Sequence, residues 1–135
     1  KKELKNLSLK LKLSKRIDFI NKVSIHELLN YTSSCHLGIN LLENYNLSKK
    51  FASPNKLYEY IHAGIPVIAS NKVENIKVFN KYNIGKIVEN NPKNISENIQ
   101  LIFKSDIDLF KQECNKAKEE YNWETQEHKI LSIIA

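Results

Sequence analysis

An α/β fold with a parallel sheet and helices on both faces is what this sequence predicts, and three observations predict it. Short β-branched runs such as Val67-Ile68-Ala69 are apolar throughout, the pattern of parallel strands covered on both sides. Amphipathic stretches alternate with these runs, as crossover helices do. The span Phe51–Ser70 joins one helix to one strand with a chemical signal at every boundary. A sheet of about four strands follows from the alternation.

Taken in order, Lys1 to Leu13 reads as the tail of a helix, with Leu4, Leu7 and Leu11 at helical spacing. Ile17–Ile20 is the first expected strand, and Ser24 caps a helix running to Ser34. His36–Leu42 is a second strand, followed by a polar loop over Glu43–Ala52. Ser53 is the expected N-cap of the next helix, and Pro54 suits its first position because its missing N–H costs nothing there. Leu57, Tyr60 and Ile61 give that helix one apolar face. Gly64 supplies the left-handed closing residue, and Pro66 prevents continuation.

Pro66–Ser70 is then a buried strand, Glu74–Tyr82 a short helix and Asn83–Glu89 a fourth strand. A helix starts at Asn94 or Ser96 and reaches Phe103; others cover Asp106–Tyr121 and Trp123–Ile134. Neither an internal repeat nor a low-complexity tract is visible. The 135 residues suit a single domain.

The net charge of +6 raises the question of nucleic acid. Lysine is spread along the chain, Arg16 is the sole arginine, and aromatics do not cluster, so bidentate base contacts and stacking platforms are missing. The basic opening from Lys1 to Arg16 is either a solvated helix face or a surface for anionic lipid headgroups. No apolar run is long enough to span a bilayer, and the Lys/Leu opening does not read as a signal peptide. Cys35 and Cys114 stand apart without a CxxC, which fits a reducing cytoplasm.

The helix after Ser53 carries the candidate chemistry. Its N-terminus faces the carboxyl edge of the sheet, where open α/β sheets bind ligands and where free amides favour phosphate. Ser53, Pro54, Asn55 and Lys56 open that helix; the amides of Asn55 and Lys56 suit a pyrophosphate, and the Lys56 side chain adds a point charge. Glu59 follows on the first turns. Its carboxylate either accepts two hydroxyl hydrogen bonds from a ribose or only complements the helix dipole. Gly38 reads as a close approach within its strand, and Asn40 either lines the cleft or bonds the neighbouring loop. His26, His36, His62 and His128 show no metal-ligand spacing, and no Ser-His-Asp or Cys-His nucleophile arrangement is visible. No metal and no cofactor are expected.

These residues carry a family resemblance. Ser53-Pro54-Asn55-Lys56-Leu57-Tyr58-Glu59-Tyr60 with Ala63-Gly64-Ile65-Pro66-Val67-Ile68-Ala69 resembles the donor-site segment of retaining GT-B glycosyltransferases. The GT4-like set that builds bacterial capsule, O-antigen and related surface glycans is the most similar group. Ile17–Ile20, Val23–Leu29, Cys35–Asn40, Ile84–Val88 and Tyr121–Glu124 fit the same order, so nearly the whole chain is covered.

The resemblance implies a Rossmann-like donor-binding domain, the C-terminal half of a GT-B fold, here without its first two βα units. It implies a nucleotide-sugar donor, UDP- or GDP-linked, a glycan or lipid-linked acceptor, anomeric retention, and a cytoplasmic location, either free or peripheral at the inner face of the membrane. Glu59 matches the second glutamate of a Glu-x7-Glu motif, which holds the ribose. The first falls at Phe51, a departure that leaves contacts to the transferred sugar open; Glu43 sits in a different part of the loop and is at most a donor-side carboxylate. Lys22 and Val23 match the place where the nucleobase packs. The terminal helix, residues 123–135, would cross toward a missing N-terminal domain that supplies the acceptor site. Two rivals remain: a nucleotide-sugar 2-epimerase of the same architecture, and a non-catalytic interaction domain with a degenerate donor site.

Overall fold

A computed structural model of the chain describes residues 1–43, 47 and 53–134. Helix α1 (Lys2–Lys10) leads through a short 3-10 turn (Ser14–Arg16) to α2 (Ile25–Ser33) and β1 (Gly38–Asn40). Then follow α3 (Asn55–Ala63), β2 (Val67–Ser70), α4 (Val73–Lys81) and β3 (Gly85–Val88). Three helices close the chain: α5 (Pro92–Lys104), α6 (Ile107–Glu120) and α7 (Trp123–Ile134). No helix among the described residues is long and apolar enough to cross a membrane.

The sheet is parallel, in the order β1-β2-β3, with Gly38 opposite Val67 and Val67 opposite Gly85. The α/β class therefore stands, with three strands among the described residues instead of about four. Ile17–Ile20 is the missing one. A strand exists through the ladder it shares with a neighbour, and Ile17–Ile20 has none; Ile20 is 63% exposed. The apolar content that suggests a strand is present, but no pairing strand lies beside it among the described residues.

Central β2 is buried at every residue, and its alternation builds two half-cores. Val67 and Ala69 face one cluster with Leu57 and Ile61 of α3, Val78 of α4, Ile84, and Cys114 and Ala117 of α6. Ile68 faces the other with Val88, Ile102 of α5 and Phe110 of α6. Helices thus cover both faces, which is why Val67-Ile68-Ala69 carries no polar residue.

Local signals place most boundaries. Ser24 and Glu27 form a reciprocal capping box at α2: the Ser24 hydroxyl accepts from the Glu27 amide, and the Glu27 carboxylate accepts from the Ser24 amide at 3.2 Å. Gly64 adopts φ 70°, ψ 30° and closes α3, its amide donating to Ile61 O at 3.0 Å. Pro66 follows and starts the run into β2.

Candidate functional site

The chain leaving β1 and the start of α3 meet at the carboxyl edge of the sheet. Helix α3 begins one residue later than the cap signal suggests. Pro54, extended at φ −76° and ψ 129°, is the N-cap, and no side chain caps the helix. The Ser53 hydroxyl instead lies 3.0 Å from the Tyr58 hydroxyl. This corrects the expected Ser53 cap: proline, with its fixed φ, serves as the capping residue itself, and the serine is drawn to a neighbour one turn along. The consequence favours a ligand, because the amides of Asn55 and Lys56 meet no side-chain acceptor among the described residues.

A cavity of about 260 Å³ lies at that end, lined by Ile39, Asn40, Leu41, Leu42, Pro54, Asn55 and Lys56. Asn40 is 2% exposed, and its Nδ2 donor has no partner among the described residues. A buried amide donor without an acceptor is costly, so it marks a place where an acceptor is missing. A second cavity, of about 410 Å³, runs between α2 and α3 and also reaches Asn55. Its walls include Ile25, Leu28, Tyr58, Glu59 and His62. Glu59 is half-buried there and makes no hydrogen bond or ion pair among the described residues.

Neighbouring contacts hold α3 in place. The Tyr60 hydroxyl donates to Ile39 O at 3.3 Å, and burial raises its pKa above the ordinary 10.0, so it stays a donor at neutral pH. His62 Nε2 lies 2.8 Å from Tyr121 O, and the Tyr58 and Tyr121 rings are 5.5 Å apart. Together these tie α3 to β1 on one side and to the end of α6 on the other.

A buried polar group sits behind the same edge. Ser70 Oγ accepts from the Leu42 amide at 3.0 Å, Asn75 Nδ2 donates to Ser70 O at 2.8 Å, and Lys72 Nζ donates to Glu43 O at 2.9 Å. Lys72 is 1% exposed and Asn75 fully buried. Sequence reading passes over Lys72, since it resembles many other lysines; its position directly after a strand buried on both faces is the signal that could have found it.

The structure brings Asn40, Pro54, Asn55, Lys56 and Glu59 to two cavities that share Asn55 as a lining residue. It does not bring Ser53, Lys22, Val23 or the exposed Glu43 side chain to their walls. Phe51 lies outside the described residues. Among those residues no group of three or more His, Cys, Asp or Glu is disposed to hold a metal.

Comparison with protein-family models matches residues 1–122 to Glycosyl transferases group 1. The chain belongs to that family. Among curated proteins no significant match is found. As a group 1 glycosyltransferase domain, it places its candidate ligand edge where α3 turns its amides outward, and the family assignment reaches through α6 to Asn122. Glycosyl transfer is therefore the general chemistry of this family.

Proposed function

We propose that this group 1 glycosyltransferase domain binds a nucleotide-sugar donor, UDP- or GDP-linked, and serves as the donor half of a retaining GT-B enzyme. The observation that carries this reading is Glu59, a carboxylate without a hydrogen-bond or ion-pair partner among the described residues, lining a cavity that meets the amide end of α3 at Asn55. The diphosphate rests on the Asn55 and Lys56 amides with the Lys56 ammonium nearby, and the Asn40 amide supplies one more donor. Glu59 grips the ribose hydroxyls. The apolar wall of Ile25 and Leu28 suits the planar base.

Amides and a cation already aimed at the leaving diphosphate stabilise the charge that builds on it as the glycosidic bond breaks. The acceptor, a surface glycan or lipid-linked sugar, and the groups that activate it come from further protein. Exposed Leu4 and Leu7 on α1, Leu11 just beyond it, and Ile130, Leu131, Ile133 and Ile134 on α7 support this, because such apolar surface suits burial against another domain. The chain by itself is expected to bind nucleotide weakly and transfer no sugar.

Calorimetric titration of UDP and GDP tests the reading. Saturable binding to one of them is expected, weakened about tenfold to hundredfold by Glu59→Gln, in line with about 1.5–3 kcal/mol for hydrogen bonds to a charged group. No binding to either nucleotide would favour a non-catalytic interaction domain. Equal affinity of the variant would remove Glu59 from the site.

A further inference from the structure

A lysine with 1% exposure is the least expected residue in this molecule, and it lies beside the candidate site. Lysine is almost never fully buried unless its ammonium is held by protein acceptors. Lys72 leaves β2, acts as the N-cap residue of α4, and sends its ammonium across the sheet edge to Glu43 O at 2.9 Å. One residue earlier, the Leu42 amide is held by Ser70 Oγ at 3.0 Å. Ser70 O in turn accepts from Asn75 in the first turns of α4. Two consecutive residues after β1 are thus fastened to β2 and α4 by buried polar groups, not by a sheet ladder.

Leu42 also lines the cavity that faces the Asn55 and Lys56 amides. A movement of this segment therefore moves one wall of the cavity, while α3 keeps the opposite wall in place. Glu43 needs no carboxylate chemistry for this contact, since its backbone carbonyl accepts from Lys72.

We propose that Lys72 is a positioning residue: its buried ammonium fixes the segment leaving β1 and so sets the width of the nucleotide cleft. The effect on ligand rests on the nucleotide-binding reading above; the hold on the segment does not. Lys72→Met keeps the apolar stem and removes the charge. If the segment then occupies its place about a tenth of the time, nucleotide affinity falls about tenfold, in proportion to the competent fraction.

Amide hydrogen exchange on the whole chain, with UDP and GDP titrations, tests this. Expected for Lys72→Met is faster exchange at Leu42 and Glu43, with the amides of Ile68, Ala69 and Val88 unchanged, and weaker nucleotide binding. A residue that only stabilises the fold would speed all of these amides in step, which would overturn the proposal, as would unchanged exchange at Leu42. Should the wild type bind no nucleotide, the functional reading fails while Leu42 exchange still decides the positioning role. Should Lys72→Met not fold, competitive amine acylation of the wild type decides: Lys72 is expected to react at least about tenfold more slowly than Lys77, whose side chain is 64% exposed. Equal rates would overturn the buried anchor.

Discussion

Gly38 and Tyr60 offer a direct test of how α3 is seated. A Cβ placed on Gly38 would lie 2.4 Å from Tyr60 Cγ and 2.5 Å and 2.7 Å from its two Cδ atoms, where ordinary contact begins at 3.4 Å. Gly38→Ala therefore forces the ring away by about 1 Å, an overpacking that costs about 1–3 kcal/mol. The displaced ring also pulls its hydroxyl from Ile39 O, now 3.3 Å away. Because Glu59 precedes Tyr60 on α3, nucleotide affinity should fall along with stability.

Urea unfolding of Gly38→Ala, Tyr60→Ala and the double variant isolates the contact. With the ring gone, the alanine methyl has room. Its cost should then vanish or change sign, since Ala is favoured over Gly inside a strand by about 0.5–1 kcal/mol. The same cost in both backgrounds would refute the steric reasoning and place the strain elsewhere.

Two further outcomes follow from titratable groups. Cys114 is fully buried, its thiol directed at Ile65 O and its pKa pushed up to about 12 by burial, whereas Cys35 is exposed. A thiol reagent should label Cys35 in the folded protein and Cys114 only on unfolding; equal rates would contradict the packing of α6. Glu120 on α6 accepts from the Lys81 ammonium and the Tyr82 hydroxyl, which hold its carboxyl below the usual 4.5. The same contact holds Lys81 above 10.5. The carboxylate's contribution is thus complete above 4.5 and lost as pH falls through the lowered value; that of Lys81 is complete below 10.5 and lost as pH rises past the raised one. Melting curves of wild type and Glu120→Gln should differ near neutrality and converge in acid. Parallel curves throughout would show that the tie does not contribute.

Much of this domain was legible from short stretches of chain. The capping box of Ser24 and Glu27, the Gly64 closure, the Pro66 stop and the doubly buried Val67–Ala69 run each follow from chemistry within a few residues. The placement of Asn55, Lys56 and Glu59 at cavity walls was legible in the same way, because a helix start at a sheet edge dictates what its first turns present. The Ser53 cap failed on a local competition, its hydroxyl finding Tyr58.

Other features depended on residues far apart in sequence, and only the tertiary structure decided them. Ile17–Ile20 has strand composition yet no strand, since a ladder needs a neighbour that composition does not announce. Lys72 reads as one more surface lysine until β2, α4 and the segment after β1 enclose it. The Asn40 donor without a partner among the described residues, the closeness of Gly38 to Tyr60 and the cavity beside Glu59 arise the same way. Local signals act over a turn or two and survive in any context, whereas burial, pairing and cavity shape are properties of elements meeting, so they belong to the fold alone.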